Sequence, residues 1–160
     1  MRTMLLVLLV GSLDAPELAV LLPSAASEVL AVAGYTFPDA VRPEHLSRAD
    51  FDASGYEDWA VLVRPGSAQA AILVAYQFKD HWRAGSIDLW DSTPGPVRIQ
   101  VLPAGSYTRH PPYNRPREAN EVDGTSSSLP GVLATFADGR RRAYHLGGHA
   151  WQYVYLGAPN

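Results

Sequence analysis

The chain is 160 residues long, room for one domain, and a chain of about 150 residues buries roughly 68–70% of its unfolded surface without needing staples. Hydrophobic residues make up 47% and charged residues 18%, which excludes a wholly disordered, collagen-like or coiled-coil protein. Thirteen Lys and Arg against sixteen Asp and Glu leave a formal charge of −3, so there is no bulk positive charge with which to hold nucleic acid.

Cysteine is absent, so disulfides, thiolate zinc sites and a cysteine nucleophile are all removed from consideration. The compartment must therefore be read from the N-terminus. Met1-Arg2 precedes the apolar run Met4 to Val10, and small residues follow at Gly11, Ser12 and Ala15. This is the pattern of a short signal peptide over residues 1–19, with cleavage after Ser12, Ala15 or Ala19, and it implies a periplasmic or secreted protein. The alternative is a buried strand or helix of a cytoplasmic protein. Asp14, Pro16 and Glu17 break the apolarity before Leu18 to Leu22, and no stretch approaches the roughly 20 residues that span a bilayer.

Residues 20–160 read as a single β-rich domain. Pro23 to Gly34 predicts one short helix, with Ser24 able to cap it and Gly34 suited to stop it. A linker from Tyr35 to Leu46 carries Pro38 and Pro43 and leads to an acidic turn. Trp59 to Val63 is a near-continuous apolar run, the signature of a strand covered on both faces. Ala71 to Phe78 supplies its partner, and Ser86 to Trp90 and Val97 to Leu102 extend an antiparallel meander.

From Pro103 to Pro130 no period is sustained, and Pro111, Pro112, Pro116 and Gly124 punctuate a long loop. Loops of that length in compact domains are either functional or mobile, so 103–130 is the place to look for a protein partner's surface. Two hairpins close the chain: Gly131 to Phe136, the Asp138-Gly139 turn, Arg140 to Leu146, the Gly147-Gly148 turn and Ala150 to Leu156. Trp151, Tyr153 and Tyr155 alternate along the final strand and give it one aromatic face. The fold class is thus mainly β (α+β), an antiparallel meander sheet with one short N-terminal helix.

The segment Asp50 to Asp58 carries the clearest chemistry. Oxygen side chains stand at its first, third, fifth and ninth positions (Asp50, Asp52, Ser54, Asp58), with Gly55 at the sixth. In a tightly curled loop alternate side chains converge on one point, glycine permits the bend, and the carbonyl of the seventh residue, Tyr56, can turn inward. Hard oxygen donors in this number suit Ca²⁺ in a structural role better than a transition metal. The competing reading is an Asx-rich turn whose carboxylates accept backbone N–H bonds without an ion.

An EF-hand loop would need a bidentate Glu at its twelfth position, which here is Val61, already within the predicted strand. A calcium-type loop that runs into a strand resembles the FG-GAP/VCBS loops of integrin-like propeller blades. More narrowly, Ala49 through Val63, taken with Tyr144 to Val154, resembles small bacterial exported proteins of unassigned function that pair such a loop with a terminal aromatic hairpin. One acidic turn alone does not make a propeller. Ala53-Ser54 departs from the pattern, which more often has Asp or Asn at the fifth position.

Other constellations are weaker. His145 and His149 are separated by Gly147-Gly148 in a hairpin, so they lack helical zinc spacing. Arg140 to Arg142 reads as a solvated strand edge. Trp82, Trp90 and Trp151 read as core aromatics before they read as a groove. No nucleophile elbow, P-loop or dinucleotide fingerprint is present. The sequence therefore points to an exported, non-enzymatic binding or structural domain with a calcium-type turn. Two alternatives are a metal-assisted hydrolase helped by His110 or Glu118, and an inhibitor or immunity-type protein that binds its partner through 103–130.

Overall fold

The computed structural model describes residues 20–32, 40–110 and 117–157; the segment read as a signal peptide lies outside them. Two four-stranded antiparallel sheets face one another, and a helix lies on the outside of the first. In chain order the elements are β1 (Val20–Leu21), α1 (Ser24–Val32), β2 (Ala40–Val41), a 3₁₀ turn (Pro43–His45), β3 (Leu46–Ala49), β4 (Asp58–Val63), β5 (Ala71–Gln77), β6 (Trp82–Leu89), β7 (Arg98–Leu102), β8 (Gly105–Thr108), β9 (Gly124–Ser127), β10 (Gly131–Thr135), β11 (Arg141–Gly147) and β12 (Ala150–Gly157). The mainly β, antiparallel class with one helix is as the sequence implies. No described helix is long and apolar enough to cross a membrane.

The first sheet has the order β3-β4-β5-β6, a true meander. The second has the order β12-β11-β10-β7, so the chain leaves the meander after β6 and pairs β7 with β10. The turn-rich Asp91 to Pro96 stretch makes this switch: Gly95 sits so close to Ala70 that a Cβ there would lie 2.4 Å from the Ala70 Cβ, and Val97 N–H donates to the Thr135 carbonyl.

All six residues of β4 are buried, because each of its faces has a cover. Trp59, Val61 and Val63, with Leu73 and Ala75 of β5, pack against Leu22, Ala26 and Leu30 at the helix. The opposite face places Ala60, Leu62, Ile72 and Val74 against Ile99, Val132, Tyr144, Trp151 and Tyr153 of the second sheet. Continuous apolarity in β4 and β5 is therefore the sequence record of a middle layer. In β12 one face supplies Trp151, Tyr153 and Tyr155, all buried.

Three sequence readings change. The stretch 103–130 is a built element over much of its length, since β8 and β9 form an antiparallel ribbon and Glu121 bridges to Tyr153. Val122 N–H donates to the Tyr153 carbonyl and Tyr153 N–H to the Asn120 carbonyl, so this return segment closes the outer edge of β12. The short polar residues Ser106, Thr125, Ser126 and Ser127 hide the strand period, because neither face of the ribbon is strongly apolar. Second, β11 lies inside its sheet rather than at the edge, and Arg142 is buried. Third, a short strand, β3, lies within what reads as linker and turn, and it pairs with β4 from Leu46↔Val61 to Ala49↔Asp58.

Candidate metal centre

The acidic turn links β3 to β4 and is held at both ends. Phe51, the second residue, is fully buried and sets its ring edge-on to Trp151 with centroids 5.7 Å apart. A phenylalanine anchored in the core fixes the backbone between Asp50 and Asp52, and the alternation of the chain then turns those two carboxylates away from it. At the far end Asp58 opens β4 and is fully buried. Its Oδ2 accepts Phe51 N–H at 2.9 Å and its Oδ1 accepts Gln77 N–H at 2.9 Å. One carboxylate thereby joins the start of the turn, the start of β4 and the end of β5.

Between these anchors the backbone is curled as the spacing predicts. Ala53 and Gly55 take φ of 62° and 82°, the left-handed region that glycine enters without steric cost. Asp50 Oδ1 accepts Ser54 N–H at 3.0 Å and its Oδ2 accepts Gly55 N–H at 2.9 Å, while Asp52 Oδ1 accepts Ser54 N–H at 2.9 Å. Carboxylate oxygens of Asp50, Asp52 and Asp58 all lie within 4.8 Å of one another. The Ser54 hydroxyl donates to the Gln77 carbonyl at 3.2 Å and accepts from Tyr56 N–H at 3.4 Å. Ser54 thus ties the turn to β5, and Tyr56 is exposed.

Three carboxylates at this spacing repel, and four backbone N–H groups (Phe51, Ser54, Gly55, Gln77) offset part of that repulsion. The balance is visible at Asp58. Burial pushes its pKa up to about 6; the bonds from Gln77 and Phe51 pull it down, and the charges of Asp52 and Asp50 push it up again. Each oxygen that accepts one N–H keeps a second lone pair, so this arrangement has acceptor capacity left for a cation.

Sequence reasoning missed several neighbours of the turn. Gln77 acts through its main chain, which no side-chain pattern can announce. Asp52 shares a cavity of about 330 Å³ with Tyr76, Phe78, Arg83 and His149. Leu146, Tyr76 and His149 also line a cavity of about 570 Å³ beside β6, and there the Trp151 indole N–H donates to the Tyr76 hydroxyl at 2.7 Å. The histidine beside the turn is thus His149, on the tip of the last hairpin.

The two residues considered for a hydrolase are placed elsewhere. His110 N–H donates to the Tyr155 carbonyl and its ring lies against Gly157. Glu118 accepts from Arg142 Nη2 at 2.9 Å and from the Tyr153 hydroxyl at 2.7 Å. No family model, curated protein or solved structure matches the chain.

Proposed function

We propose that this chain is a non-enzymatic binding or structural module, exported from the cell, in which Asp50, Asp52 and Asp58 hold a calcium ion at the entry to β4. The observation that carries this reading is the convergence of the three carboxylates within 4.8 Å, with Phe51 and Asp58 pinning the turn into the core. The backbone carbonyl of Tyr56 and a water held by Ser54 complete the oxygen set in this reading. The FG-GAP/VCBS-like order of turn and strand supports it. The ion neutralises charge that the N–H donors only partly offset, and so fixes the β3–β4 corner. Three carboxylates and a weak fifth ligand suit an affinity on the order of 10⁻⁴–10⁻³ M, the range of extracellular modules.

At a few millimolar calcium such a site stabilises the fold by about 1–2 kcal/mol, a rise in Tm of roughly 2–8 °C for a chain of this size. Asp52→Ala should abolish that rise and leave the Tm in chelator nearly unchanged. Asp52 is the carboxylate to replace, because its one bond to Ser54 N–H duplicates the bond from Asp50. A variant that loses equal stability with and without calcium would assign the turn to hydrogen bonding alone.

A further inference from the structure

His145 stands in the middle of β11, on the face of the second sheet that points away from the inter-sheet core, and is 1% exposed. The elements around it supply little polarity. From β8, Tyr107 lays its ring over the imidazole with centroids 5.2 Å apart. From β10, Gly131 leaves room for the ring, since a Cβ there would come within 2.9 Å of the histidine Cδ2. Across the ladder on β12 it faces Gln152, and β9, which pairs with β8, contributes Thr125 to Ser127. Neither ring nitrogen makes a hydrogen bond of good geometry. The Pro103 carbonyl is the polar group turned toward the ring, and it already accepts the Tyr107 hydroxyl at 2.9 Å.

We propose that His145 is an acid-operated latch for the β8–β9 ribbon: a proton on its ring releases Tyr107 and uncovers the outer face of β11 and β12. The imidazolium carries two N–H donors where the closed ribbon offers one shared carbonyl, and a buried charge without a partner is strongly disfavoured. Burial accordingly holds the histidine's pKa below its ordinary value, while the Pro103 carbonyl pulls the other way. Opening the ribbon lets water solvate the charge. Little apolar burial opposes that motion, because alternate ribbon residues are exposed and Tyr107 is its one large side chain. Ala143 and Val154, paired across β11 and β12, are fully buried on the same face of the sheet as His145.

Tyr107 is the titratable group whose ring meets the imidazole. The charged groups of the ribbon lie at its open end, where Arg109 Nε pairs with Glu121 at 3.1 Å, Arg109 Nη1 with Asp123 at 3.8 Å, and Arg117 with Asp123. These ion pairs hold the same ribbon, so the test must separate them from the histidine.

Amide exchange of residues 105–108 and 124–127 in the whole chain, corrected for intrinsic rates and run with chelator and with calcium, reads the opening directly. We expect opening to increase about tenfold per pH unit below roughly pH 6.5, the slope of one bound proton, under both conditions. His145→Leu should remove the slope. An unchanged slope in His145→Leu would place the proton elsewhere and overturn the proposal, as would flat exchange in the wild type. If the leucine variant does not fold, the histidine ring protons of the wild type decide by NMR. Titration in step with ribbon exchange supports the latch; titration near pH 6.5 with the ribbon still protected overturns it.

Discussion

Lowering the pH of the metal-free protein from 7.5 to 4.5 is expected to strengthen Asp58's contribution to the fold by about 2 kcal/mol. The sign follows from the direction of the shift. The folded carboxyl is held up to about 6 against an ordinary value of 3.8, so the folded state takes up a proton that the unfolded chain does not. The stabilisation is complete below the unfolded value and is lost as pH rises through the folded one. Calcium is expected to substitute for the proton: it stabilises at pH 7.5, where Asp58 is charged, and adds little at pH 4.5. His145 contributes with the opposite sign, since its lowered pKa means stability present at neutral pH and lost as pH falls below its unfolded value. Urea denaturation of wild type and Asp58→Asn at both pH values, in chelator and in calcium, isolates the aspartate as a difference between the two chains. Asparagine keeps one acceptor for the two N–H groups, so its absolute stability falls. The informative quantity is the change of the difference with pH, and a constant difference would place Asp58 in its charged form at both pH values.

How far the fold is legible in the sequence depends on what each segment packs against. β4 and β5 are readable because burial on both faces leaves no polar position in their centres, and β12 because three aromatics repeat with period two. The ribbon β8–β9 is not readable, because its strands alternate small polar residues with one tyrosine, whose ring meets His145. The candidate site is legible in its side chains and illegible in its main chain. Asp50, Asp52 and Asp58 do converge, as their spacing predicts. That Ser54 turns to β5, and that Gln77 N–H completes the Asp58 contacts, depends on the β4–β5 register. Arg142 inverts its expected setting for a similar reason: three consecutive arginines suggest solvent, yet the register of β10, β11 and β12 points the third one into the sandwich.

Replacing Arg142 with alanine is expected to cost about 2–4 kcal/mol, near the lower part of the range for breaking a buried ion pair, because its partners are partly solvated. The guanidinium spans the two sheets: Nη1 meets Asp88 of β6 at 3.0 Å and Nη2 meets Glu118 at 2.9 Å. Its Cζ lies 4.4 Å from the ring centroid of Tyr153 and 5.3 Å from that of Phe136, so the substitution removes packing as well as charge. It also removes the cation that faces Asp88, which would keep the Tyr144 hydroxyl at 2.5 Å. Arg142→Lys separates the two contributions, since one ammonium cannot reach both carboxylates in the forked geometry of a guanidinium. Urea denaturation should show the lysine variant recovering less than half of the loss. A double-mutant cycle with Asp88→Asn should give a coupling of roughly 1–3 kcal/mol. A coupling near zero would mean that the Asp88 pair adds nothing and that Arg142 acts through Glu118 and its packing on Tyr153 and Phe136.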